Sequence, residues 1–148
     1  MSIASTRVSR PVALLLVGTA VPVAYALETG LRVLLLPPDV EALRQELRPI
    51  LTGFAWWLFG LAFPMALLGL WVKRRLFRRA LVRLPEPTPA LRERAEMEAF
   101  LLASSVPQIP ALFCTVTSLA GASPEPVLAT MAVATAGVLT QGLWRPGV

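Results

Sequence analysis

Residues 50–84 read ILTGFAWWLFGLAFPMALLGLWVKRRLFRRALVRL. The first 23 of these carry no charge, and the next twelve hold six cations: Lys73, Arg74, Arg75, Arg78, Arg79 and Arg83. At 1.5 Å per helical residue the uncharged part covers about 34 Å, enough to cross a hydrocarbon core about 30 Å thick. A membrane-spanning helix that ends on a basic cluster is the direct reading, and it sets the class of the whole chain.

Three further apolar segments extend the pattern, at about 11–36, 99–120 and 127–144, so four spans are expected. Hydrophobic residues make up 55% of the 148-residue chain and charged ones 16%, against roughly 25% charged in soluble domains. The chain has room for one domain: an all-α, four-helix transmembrane bundle built from two hairpins. Fourteen Lys and Arg face nine Asp and Glu, a net charge of +5. Because the cations flank apolar spans, anionic lipid headgroups are the expected partners and nucleic acid is not. With no His and one Cys, an internal disulfide is impossible and the usual Cys/His metal sets are missing. No metal and no cofactor are expected.

Lys and Arg near the spans set orientation. Arg7 and Arg10 precede the first span, the basic linker 73–98 holds eight cations including Arg92 and Arg94, and Arg145 follows the last span. The 37–49 loop offers Arg44 and Arg48, diluted by Asp39, Glu41 and Glu46, and the loop GASPEP has none. Both termini and the linker are therefore expected in the cytoplasm, as in a multi-pass protein of a bacterial inner membrane.

The loops carry their own signals. Leu43 and Leu47, four residues apart in PDVEALRQELRP, suggest a short amphipathic helix on the outer face. Leu76, Phe77, Ala80, Leu81 and Leu84 form one face of the basic segment. With Lys73, Arg74, Arg75, Arg78, Arg79 and Arg83 around it, the second span is expected to continue through that segment as a basic, anionic-lipid-binding surface helix. The prolines of PEPTP end it. Thr88 is placed to cap the next helix and Pro89 to start it.

Ser104, Gln108, Ala111, Thr115 and Ser118 fall on one helical face of the third span, and Thr130, Ala134, Gly137 and Gln141 on one face of the fourth. Small and polar stripes hold helices together in lipid, so a close-packed hairpin is the first reading. A polar path for a small solute or ion near Gln108 is the second, although a neutral amide does not exchange protons as a carboxylate does. Pro107 and Pro110 bracket Gln108 and suggest a kink. Gly53, Gly60 and Pro64 suggest a packing face on the second span. Trp56, Trp57, Trp71 and Trp144 suggest an aromatic belt, and Cys114 a small apolar filler.

Glu28 and Arg32 lie four residues apart near the end of the first apolar run. If hydrocarbon begins at Pro11, they sit about 26 Å and 32 Å along the helix, at the outer boundary. An interfacial charge pair is expected, with Glu28 toward neighbouring helices and Arg32 snorkelling outward. The alternative is a signal peptide cut after AYA at 24–26. Apolar character resumes at Leu31, which favours an uncleaved span.

No carboxylate pair at the membrane, no nucleophile with an accompanying His and no Gly-rich phosphate loop is present, so catalysis is not expected. The segment 94–146, RAEMEAFLLASSVPQIPALFCTVTSLAGASPEPVLATMAVATAGVLTQGLWRP, resembles small, uncharacterised four-span bacterial membrane proteins in which an arginine-rich helix enters a span with a mid-span Glu followed by Pro. Its layout is also similar to the hairpin of ATP synthase subunit c. Gln108 stands where that pattern has a carboxylate, which counts against an ion-binding role. The resemblance implies no specific activity. A small non-catalytic membrane protein, self-associating or accessory to a membrane complex, is the expected function, with an oligomeric small-solute or ion transporter or channel as the alternative.

Overall fold

In the computed structural model, residues 10–35, 37–83 and 88–144 are described, and they form four helices: α1 Arg10–Leu35, α2 Pro38–Val82, α3 Pro89–Leu119 and α4 Pro124–Leu143. Arg7, Leu84, the prolines at 85 and 87, and Arg145 lie outside the described residues, so expectations on them stay with the sequence. Each helix is long and apolar enough to cross a membrane. No strand occurs among the described residues.

Helix starts follow simple chemistry. Pro occupies the first turn of α2, α3 and α4, where its missing N–H removes no helical hydrogen bond. The Thr88 hydroxyl caps α3 by accepting from the Leu91 N–H at 3.4 Å, as its position predicts. Between α3 and α4 the chain turns at Gly121, whose φ is +122°.

The main departure from expectation is α2. It runs for 45 residues without interruption, about 67 Å at helical rise. The expected outer helix within 37–49, the span 50–72 and the start of the basic segment are one element. Helix hydrogen bonding continues past Lys73 because no Pro or Gly lies between Leu70 and Val82. The basic segment prolongs the span, as expected; the departure lies at the other end, where 37–49 is fused to the span as well. The first turns of α3 pack beside it, with Ala95, Ala99 and Phe100 buried.

α2 packs on α3 and α4, and α1 packs on the same two helices. Among the described residues α1 and α2 do not pack on each other. The core is built mainly from small side chains: Ala55 and Ala62 of α2, Ala111 and Cys114 of α3, Ala134 of α4, with Val21 of α1 and Val127 and Met131 of α4 filling the remainder. The exterior is strongly apolar. Leu15, Leu27, Leu67, Leu112, Phe113 and Leu143 are all exposed.

The expected packing face of α2 is not the one used. A Cβ placed on Gly53 or Gly60 would meet nothing within 4 Å. The face that does pack runs through Ala55, Leu58, Ala62, Gly69 and Lys73.

Candidate functional site

The polar chemistry of the bundle gathers at three levels: the end holding both termini, the middle, and the end holding the α3–α4 turn. At the first level stands Lys73, which was expected on the lipid-facing surface and is instead fully buried. Its position continues the small-residue face of α2 by one turn beyond Gly69, so the ammonium points into the bundle. It donates to the carbonyl oxygens of Gln141 at 2.6 Å and Trp144 at 2.8 Å. Glu96 of α3 lies 3.6 Å away, and the Phe100 and Trp144 rings lie at 6.0 and 5.8 Å. The last turn of any helix leaves carbonyls without partners and carries the negative end of its dipole. Lys73 serves that end of α4. Arg74 stacks over the Trp144 ring at 4.4 Å, so this tryptophan is held within the protein and is not simply a belt residue. Trp56, Trp57 and Trp71 are exposed as a belt requires. Arg74, Arg75, Arg78, Arg79 and Arg83 are exposed, while Leu76, Phe77, Ala80 and Leu81 are half-buried on the opposing face.

At mid-height, Gln108 donates from Nε2 to the Val17 carbonyl of α1 at 3.0 Å. Pro22 has no N–H, which frees the Gly18 carbonyl one residue further along α1. Thr135 of α4 donates to that oxygen at 3.5 Å. α3 and α4 thus grip α1 beside its proline. The expected pairing of the α3 and α4 stripes is different in detail. Ser104, Thr115 and Thr130 return their hydroxyls to Leu101, Ala111 and Pro126 of their own helices. The polar link between the two helices is Cys114, whose thiol lies 3.3 Å from the Thr130 hydroxyl and 3.8 Å from the Ala55 carbonyl, a buried filler at a three-helix junction. Gly137 meets α2 as well as α3: a Cβ there would come 3.0 Å from Ala66 and 3.3 Å from Pro107. The Gln141 amide is buried against Gly69, and neither end is hydrogen-bonded among the described residues.

At the far end two arginines meet the end of α3. Arg32 of α1 donates to the Ser118 carbonyl at 3.3 Å, and Arg44 of α2 to the same oxygen at 2.9 Å. The Gly121 N–H also donates to it at 3.0 Å. Glu28 sits 3.9 Å from Arg32 and is turned into the protein, as expected. Arg32, expected to snorkel outward, reaches inward because the α3 terminus offers a carbonyl that accepts more than one donor and a negative dipole end. Arg44, a loop charge by its sequence context, is buried at 9% exposure and pairs with Glu41 at 3.2 Å. The missed signal is register: Arg44, Leu51, Ala55 and Leu58 share the packing face of α2. Gly121 is required here, since its φ suits glycine and a Cβ would come 2.6 Å from the Arg44 carbonyl oxygen. The Ser123 N–H donates to the Thr52 hydroxyl at 3.0 Å, fixing the turn to α2 from the other side.

These contacts give α2 a mechanical role. Its two buried cations, 29 residues apart in sequence, each satisfy the end of a different helix of the α3–α4 hairpin. Compared with protein-family models, with curated proteins and with solved structures, the chain matches none.

Proposed function

We propose that this chain is a non-catalytic integral membrane protein with both termini in the cytoplasm, associating with itself or with a membrane complex. The carrying observation is the Gln108 Nε2 bond to the Val17 carbonyl. The most polar side chain in the middle of α3 is committed to holding α1, where interhelical hydrogen bonds stabilise bundles in lipid. The apolar exterior suits hydrocarbon as its solvent. In the up-and-down order of the helices, nine Lys and Arg among the described residues fall at the end where α1 starts and α4 stops, and three at the other, which supports the orientation expected in a bacterial inner membrane. The open face of α2 at Gly53, Gly60 and Pro64 supports association, because small residues let a second helix approach closely.

Gln108→Leu is the test. It is expected to lower stability in detergent by about 1 kcal/mol and to leave vesicles containing the protein no more or less permeable to small ions. On a Cys114→Ala background, Gly60→Cys should form disulfide-linked dimers in membranes more readily than Leu27→Cys. A Gln108-dependent flux with an undisturbed fold, together with no Gly60 dimers, would favour the oligomeric channel instead.

A further inference from the structure

The α3–α4 turn ends short of the ends of its neighbours. Beyond it, the last turns of α1 and the first turns of α2 stand apart and enclose an open-sided cleft of about 890 Å3. Tyr25, Arg32, Arg44, Gln45 and Arg48 line it, and Glu41 is the one carboxylate among the described lining residues. We propose that this cleft binds a phosphate anion, supplied by the headgroup of an anionic phospholipid or by free phosphate. The proposal rests on the membrane reading above for the lipid source only.

Three observations carry it. First, Arg32 and Arg44 converge on one carbonyl oxygen, so their donating nitrogens are at most about 6 Å apart. Like charges at that separation repel; Glu28, 3.9 Å from Arg32, and the exposed Glu41, paired with Arg44, balance them, and Arg48 leaves one cation in excess among the described groups at the cleft. Second, Arg44 spends one N–H on the Ser118 carbonyl and one on the Glu41 carboxylate. A guanidinium has five N–H donors in a fork that matches phosphate oxygens, and one carbonyl and one carboxylate do not use them all. Arg48 stands one turn further along α2 at the same cleft and is exposed. Third, the depth is right. With hydrocarbon beginning near Ile50, Arg48 and Arg44 sit about 3 Å and 9 Å outside it along the helix. The headgroup layer on each side is about 5–8 Å thick, so the two arginines bracket the level at which lipid phosphates lie. Tyr25 and Gln45 add polar groups able to donate to a phosphate ester. The five exposed arginines of 74–83 lie at the opposite end of α2 and belong to a separate surface.

The test uses the full chain in lipid nanodiscs with a photoactivatable phosphatidylglycerol, its reactive group close to the headgroup, and mass spectrometry of the adducts. Adducts are expected on the 41–48 peptide, in excess over those from the matching phosphatidylcholine probe. Arg48→Gln should lower them roughly five-fold, the equivalent of about 1 kcal/mol for one cation at such a surface. Replacing Arg74, Arg75, Arg78 and Arg79 with Gln should leave them unchanged. Arg44→Gln is the stronger variant but removes a buried contact, so Arg48→Gln decides. Loss of the adduct with excess inorganic phosphate would assign the site to free phosphate, and persistence would assign it to the lipid. Equal labelling by the phosphatidylcholine probe, or adducts unaffected by Arg48→Gln, would overturn the site. Absence of adducts on every helix would instead count against the membrane reading itself.

Discussion

The Lys73 ammonium lies 2.6 Å from the Gln141 carbonyl oxygen, fully buried between the end of α4 and the first turns of α3. A charge taken wholly out of water is retained only where several partners receive it. Here two carbonyls and Glu96 do so.

Lys73→Met is therefore expected to destabilise the bundle by about 3 kcal/mol, since it leaves helix-end carbonyls and Glu96 without their cation. Thermal unfolding in detergent reads this directly. Arg78→Met, an exposed control in the same segment, should change stability by less than about 0.5 kcal/mol. Equal effects of the two would mean that Lys73 is not the tie between α2 and α4.

Lys73 also shows where sequence reading reaches its limit. The four apolar helices were legible because uninterrupted apolar runs have few other uses, and the α3 start was legible because Thr88 and Pro89 have positional chemistry. The continuation of α2 into the basic segment was legible as well, but its fusion with 37–49 was not, because that charged stretch reads as a short loop helix of its own. The partners of polar residues were not legible either. The α3 stripe directs Gln108 toward α4, yet it binds α1, and nothing local to α3 specifies which neighbour lies beside it. Lys73 and Arg44 read as surface charges because cations usually are. Their shared register with Ala55, Ala62 and Gly69 was the available clue.

Gly137 tests the packing of three helices. Gly137→Ala places a Cβ 3.0 Å from that of Ala66, and overpacking of this kind costs about 1–3 kcal/mol. Ala136→Leu, on the exposed side of α4, is the matched control and should stay within about 0.5 kcal/mol of the parent. Val138 does not serve as a control because it is fully buried. An unchanged melting temperature for Gly137→Ala would argue against a close approach of α2 and α4.

Gly121→Ala tests the turn. The left-handed backbone and the Arg44 carbonyl both oppose a Cβ, so a loss of more than about 1 kcal/mol is expected. The same variant should loosen the Arg44 contact with Ser118 and raise hydrogen exchange at the end of α3. Wild-type exchange there would show that the turn is not fixed by α2.

Replacing Arg74, Arg75, Arg78 and Arg79 with Gln should reduce anionic lipid that co-purifies with the protein. Each cation near an anionic surface contributes about 1 kcal/mol, weakened by salt. Unchanged lipid retention in low salt would leave this segment as a signal for orientation alone.

The proposed arrangement, a membrane bundle with both termini and the 73–98 linker on the cytoplasmic side, is read by labelling single cysteines in intact cells. On a Cys114→Ala background, Gln45→Cys and Arg78→Cys place thiols at opposite ends of α2. A membrane-impermeant maleimide is expected to label Gln45→Cys in intact cells and Arg78→Cys only after the cells are opened. Labelling of Arg78→Cys from outside, with Gln45→Cys protected, would contradict the orientation, and equal labelling of both in unopened cells would contradict a single membrane-spanning arrangement.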